Sequence, residues 1–110
     1  MNTRPASPPA PSRPAALIGP ADIPYLPRGV RLADDRVRGI RVLHAPERAM
    51  QLDRIGDAIL SELDGIRSMA QIARTLAARY DAPEDLIAGD LRDFLTGLIE
   101  RRMVFVRERP

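Results

Sequence analysis

The stretch Gly39-Ile40-Arg41-Val42-Leu43-His44-Ala45-Pro46-Glu47-Arg48-Ala49-Met50-Gln51-Leu52-Asp53 decides the fold. Up to Leu52 apolar and polar residues alternate with the period of extended chain, and beyond Asp53 the apolar residues recur every three or four positions, as on one face of a helix. Ala45-Pro46-Glu47 interrupts the first regime with a turn. Asp53 stands at the change of regime, where a short carboxylate suits a helix N-cap.

Toward the N-terminus the alternation continues in Gly29-Val30-Arg31-Leu32-Ala33, separated from the next segment by the turn Asp34-Asp35-Arg36. Segments 29–33, 39–44 and 48–52 predict a three-stranded antiparallel meander. Period two places Val30, Leu32, Ile40, Val42, Met50 and Leu52 on an apolar face, with Arg31, Arg41 and Gln51 opposite.

Toward the C-terminus, Ile55, Ile59 and Leu63 mark a first helix that Asp64-Gly65 ends. Ser68-Met69-Ala70-Gln71 is a capping box, followed by the stripe Met69, Ile72, Ala73, Leu76 and Tyr80. Pro83 at a first helical position, with Glu84 and Asp85 favoured by the helix dipole, opens a third helix. That helix carries Ile87, Leu91, Phe94, Leu95 and Leu98 and ends near Arg101. Met103-Val104-Phe105-Val106 is either a last strand or a cover for the core. The predicted fold is α+β and winged-helix-like, a three-stranded antiparallel sheet followed by three helices over residues 28–106, with a charged tail at 107–110.

Residues 1–27 hold 8 of the 11 prolines. This Pro/Ala/Ser tract has little to bury and lacks a backbone donor at each Pro, so a disordered tail or a linker from an upstream domain is expected. About 80 residues remain to build a core, enough for one small domain. No apolar stretch reaches the roughly 20 residues of a bilayer span. Pro and Ser occupy the N-terminus where a signal peptide carries an apolar run, so a cytoplasmic protein with no membrane partner is expected.

The side-chain inventory argues against an enzyme. With no cysteine there are no thiolate nucleophiles or thiolate metal sites, and all 17 basic residues are Arg, which leaves no Schiff-base lysine. His44, the only histidine, closes a strand beside a turn and has no nucleophile near it in sequence, so a surface role is expected. Asp34-Asp35 and Glu84-Asp85 are neighbours whose side chains diverge, at positions where turns and helix N-termini favour acids. The seven glycines are scattered, without a phosphate-cradling loop. No catalytic residue, metal site or cofactor is expected.

The net charge of +2 is unevenly divided, with six Arg against three acids in residues 28–52 and five Arg against ten acids in 53–100. A nucleic-acid-binding winged helix would need phosphate-neutralising charge on its recognition helix. Residues 83–99 instead carry Glu84, Asp85, Asp90 and Asp93 against Arg92, which argues against a nucleic-acid partner. Two features point elsewhere. Asp90, three residues after Ile87 and four before Phe94, puts a carboxylate on or beside an apolar stripe, where it needs a partner, internal or bound. The strand 48–52 borders the meander, and an open border can accept another chain as an added strand.

Leu26-Pro27-Arg28-Gly29-Val30-Arg31-Leu32, then Val42-Leu43-His44-Ala45-Pro46-Glu47-Arg48, Leu52-Asp53, Ile59-Leu60-Ser61-Glu62-Leu63-Asp64-Gly65, and Ile72-Ala73 through Leu76 to Tyr80 follow one another at a characteristic spacing. In this order they resemble the PqqD family, small peptide chaperones of pyrroloquinoline quinone biosynthesis and the prototype of the RiPP recognition element. The resemblance covers residues 25–106. It implies a noncatalytic domain that binds the precursor peptide PqqA by strand addition and presents it to the radical SAM enzyme PqqE, which cross-links a Glu and a Tyr of that peptide.

In the family the peptide adds to the third strand and lies against the third helix. On this sequence the resemblance therefore implies a site of Arg48, Ala49, Met50, Gln51 and Leu52 facing Leu86, Ile87, Asp90, Leu91 and Phe94. The chain departs from the family in having His44 for an aromatic residue, Arg48 for Gly and Asp53 for Asn, and Arg48 adds a positive charge that suits an acidic ligand. The Pro-rich leader is longer than the family needs, and in some relatives such a linker joins this domain to a PqqC domain. A recognition element of a different modified-peptide pathway is the alternative that sequence separates least well, because fold is shared and selectivity lives in few side chains. An open strand edge also allows a homodimer.

Overall fold

The alternation around Pro46 and the helical period after Asp53 each build the element they predict. In a computed structural model that describes residues 18–108, the order is β1 (Ile23–Tyr25), β2 (Arg31–Asp35), β3 (Ile40–Ala45), β4 (Arg48–Leu52), α1 (Arg54–Leu60), α2 (Met69–Tyr80), α3 (Glu84–Glu100) and β5 (Phe105–Arg107). β2, β3 and β4 form the antiparallel meander in that order, and β1 pairs with β5 in a separate two-stranded sheet. The expected tail over 1–17 and the last two residues lie outside the described residues.

The register corrects the predicted face of β3. Leu43 pairs with Leu32 on one side and Met50 on the other, so these three share a face, and Leu43 is fully buried. Ile40, Val42 and His44 point the opposite way and line the open outer face with Arg31 and Gln51. Arg41, expected on that outer face, lies on the core side at the sheet's end. There its guanidinium donates to Asp57 and Asp34, each at 3.1 Å. Asp35 shapes the β2–β3 turn, accepting from the N–H groups of Val37 and Arg38 at 3.1 Å. Gly39, with φ of 69°, supplies the left-handed residue that closes it.

α1 is shorter than predicted. It opens at Asp53, whose carboxylate accepts from Gly56 N at 2.7 Å, and stops at Leu60 with Ser61 as its cap. Glu62 and Leu63 then turn tightly onto Ile59 and Leu60 through backbone bonds, so Gly65 (φ 75°) shapes the following loop and does not end the helix. The buried residues are Gly56, Ile59 and Leu60, whereas Ile55, expected in the core, is 66% exposed. Tyr80 likewise leaves the core stripe and is half exposed.

The folded region begins before the expected boundary at Arg28. The first-turn N–H groups of α2 need acceptors. Met69 N donates to the carbonyl of Asp22 at 2.8 Å, Ala70 N to that of Pro20 at 2.9 Å, and Gln71 N to Ser68 Oγ, while Ser68 N donates to the Gln71 side chain. The capping box is therefore completed by the chain's own N-terminal segment, which also buries Ile18 and Ile23. β1 then pairs with β5 in the register Ile23–Arg107 and Tyr25–Phe105, with Tyr25 and Phe105 edge to face and Arg107 stacked on the Tyr25 ring. The core lies between the inner sheet face and the helices, where Leu43, Ile72, Leu95 and Val104 are fully buried.

Candidate functional site

β4 is the last strand of the meander, so one side of its backbone is unpaired by the sheet. Ala45 and Arg48 close the hairpin across Pro46-Glu47, and antiparallel pairing alternates from there. Ala49 and Gln51 therefore direct their N–H and C=O groups outward, toward the free edge. Both are exposed, as is Arg48. Met50 is half-buried and Leu52 is buried on the core side of the same strand.

The C-terminal end of α3 meets this strand. The Arg48 guanidinium donates to the carbonyl of Arg101 at the end of α3, and Arg101 Nη1 donates to Met50 Sδ at 3.5 Å. Two turns earlier Phe94 packs on the start of α1, with its ring directly over Gly56. Farther along, Ile87 and Asp90 join Ile55, Ala58 and Tyr80 around a largely apolar pocket of about 370 Å³ between α1, α2 and α3, with Arg54 at its rim.

The ten residues expected at the site thus fall into distinct positions. Arg48, Ala49, Met50 and Gln51 lie on the edge strand, Phe94 over the start of α1, and Ile87 and Asp90 around the pocket between the helices. Leu52 and Leu91 are core residues, at 6% and 1% exposure. Leu86 is exposed on the N-terminal half of α3. Asp90 is exposed and lines the pocket together with Arg54, without an ion pair to it. Sequence reasoning missed Arg101 and Ile55. Arg101 follows Phe94 by seven residues, two helical turns, and that spacing was the available signal.

This arrangement offers hydrogen-bonding backbone, a largely apolar pocket and several guanidinium groups. Among the described residues no group of three or more His, Cys, Asp or Glu could hold a metal ion, and no buried polar side-chain atom lacks a hydrogen-bond partner. The most perturbed carboxylates lie elsewhere, in the α1–α2 loop. Glu62 is held below the usual range mainly by the Arg79 guanidinium at 2.7 Å, with Arg67 at 2.9 Å adding to it. Asp64 is lowered to about 2 by the backbone N–H groups of Arg67 and Ile66. Both serve to close that loop. No helix among the described residues is long and apolar enough to cross a membrane.

Comparison with known proteins supports the resemblance. The family described as coenzyme PQQ synthesis protein D matches residues 41–104. The chain is 48% identical over 90 residues to the PqqA binding protein of Rhizobium meliloti, covering 82% of this chain and 92% of that one. It is 41% identical over 99 residues to the bifunctional coenzyme PQQ synthesis protein C/D of Methylorubrum extorquens, covering 90% of this chain but only 27% of that longer protein. The solution structure of the PqqD truncation of Methylobacterium extorquens PqqCD, described as a functional and stand-alone RiPP recognition element, superposes with a TM-score of 0.72 at 40% identity. That match covers 84% of this chain and 98% of the other. With the family match spanning more than half of the sequence and the fold shared, the chain belongs to the PqqD family.

Proposed function

We propose that the chain is a noncatalytic peptide chaperone of pyrroloquinoline quinone biosynthesis, working in the cytoplasm without a cofactor of its own. It binds the precursor peptide PqqA as an added strand on β4, against α3, and presents it to the radical SAM enzyme PqqE. The observation that carries this reading is the free edge of β4, whose outward backbone groups belong to Ala49 and Gln51, with Arg101 at the end of α3 touching Met50 of the same strand. Strand addition draws affinity from such backbone groups and selectivity from the side chains around them. Arg48, Ala49, Met50 and Gln51 supply the edge, Phe94 an apolar contact on α3, and Ile87 and Asp90 the pocket between the helices. Leu52 and Leu91 support these from the core. The names of the relatives, a PqqA binding protein and a RiPP recognition element, support the same reading.

Titration of isotopically labelled protein with synthetic PqqA tests it. Saturable binding with amide shifts over residues 48–52 and 86–94 is expected, along with loss of that binding in Ala49→Pro, which removes one outward N–H. Unchanged affinity of a folded Ala49→Pro variant would remove β4 as the docking strand. Binding of a different precursor peptide in preference to PqqA would assign the chain to another modified-peptide pathway. A homodimer formed through the same edge would be dissociated by the peptide.

A further inference from the structure

The end of the meander at which β4 begins is rich in arginine. Where β4 begins, the structure gathers four arginines from three separate stretches of sequence: Arg28 before β2, Arg48 at the hairpin, and Arg101 and Arg102 after α3. Arg28, Arg48 and Arg102 line one open groove with a single acid, Glu47, and Arg101 reaches from its border onto Met50. All four arginines are exposed, and among the described residues none has a carboxylate within 4.0 Å. At the other end of the strand Asp53 and Arg54 follow Leu52, and Asp90 lines one pocket together with Arg54.

Arg102 adds a second, independent observation. It sits at φ 62° in the position that closes α3, with Met103 N donating to Leu98 O at 2.9 Å and Arg102 N to Ile99 O at 2.9 Å. Glycine is the residue best suited to that left-handed position. The chain instead holds a long cation there, in a conformation unfavourable for it, facing the groove.

We infer that Arg28, Arg48, Arg101 and Arg102 form a subsite for an acidic segment of the bound peptide. Their guanidinium groups take its carboxylates by charge-assisted hydrogen bonds and so fix which end of the ligand lies at the start of β4. The inference rests on the strand-addition reading above and deepens it, assigning the ligand its charge pattern: carboxylates at the Arg48 end and apolar side chains toward Met50, Phe94 and the pocket of Ile55 and Ile87.

The test measures the affinity of the full chain for synthetic PqqA at low and high salt, beside Arg102→Gly and the double variant Arg28→Gln/Arg102→Gly. The same set is repeated with PqqA whose Asp and Glu are replaced by Asn and Gln. Arg102→Gly is expected to melt at a higher temperature, because glycine suits the position, and yet to bind native PqqA more weakly. The double variant is expected to lose about tenfold in affinity and much of its salt dependence. Against the neutralised peptide the unaltered chain and the variants should bind alike. Variants that bind native PqqA as tightly as the unaltered chain overturn the subsite while leaving strand addition standing. Absence of any PqqA binding by the unaltered chain overturns both.

Discussion

A methyl group placed on Gly56 of α1 would stand 3.1 Å from Cζ of Phe94 on α3 and 3.2 Å from the capping oxygen of Asp53. The glycine is thus the contact through which α3 is seated against the start of α1. Gly56→Ala gains helix propensity but pushes on a ring packed against the core and on the cap that opens α1. A net loss of about 1 kcal/mol is expected, since overpacking outweighs the propensity gain. Denaturant unfolding measures it, and a variant more stable than the parent would show that Phe94 yields freely.

Gly89 is the contrasting case. It lies exposed within α3, where an added Cβ would meet nothing within 4 Å. Gly89→Ala should stabilise the protein by about 0.5–1 kcal/mol, because only the backbone freedom of the unfolded chain changes. The same unfolding assay decides it.

The register of β3 makes two neighbouring valine-sized truncations unequal. Leu43 is fully buried between Leu32 and Met50, whereas Val42 is only partly buried, on the outer face. Leu43→Ala should cost about 2–4 kcal/mol and Val42→Ala less than about 1 kcal/mol. A larger loss at Val42 than at Leu43 would mean that the two faces of the sheet are exchanged.

Acid should loosen the α1–α2 loop. Glu62 and Asp64 are carboxylates whose folded pKa values lie below their unfolded ones, so their stabilisation is complete above the unfolded values and is lost as pH falls. For Asp64 the loss runs from 3.8 down to about 2, and Glu62 adds to it in the same direction from 4.5. Asp64→Asn keeps an oxygen for the N–H groups of Ile66 and Arg67 but removes the charge, and should flatten the stability profile in this range. Thermal melts between about pH 5 and pH 2 follow it.

The element order was legible because each regime of the sequence has one dominant period. The capping box at Ser68 and the cap at Asp53 stand where their residues place them, while α3 starts one residue later than read, with Pro83 as its N-cap in extended conformation and Glu84 as its first helical residue. β3 misled because both of its faces are apolar. Ile40 and Val42 lie on one and Leu43 and Ala45 on the other, and only pairing with Leu32 and Met50 selects the buried set. Ile55 misled for a related reason, since α1 is too short for a stripe of three turns and buries Gly56 instead. β1 had no local signal, for Ile23-Pro24-Tyr25 acquires its strand character from Phe105–Arg107, far along the chain. At the candidate site the edge residues were readable from the meander alone. The arginine cluster was hidden because folding assembles it from distant stretches.

The carbonyls of Pro20 and Asp22 that cap α2 also determine how the domain can be attached to anything else. The chain reaches α2 beside Glu84, Asp85, Ala88 and Arg92, on one flank of α3. Phe94 and Arg101 occupy the other flank, next to β4. A segment joined at Ile18 therefore enters the fold on the flank of α3 away from Phe94 and Arg101. A truncation meant to keep the domain whole is to be made before Ile18, because a cut at Arg28 would remove both acceptors together with the buried Ile18 and Ile23.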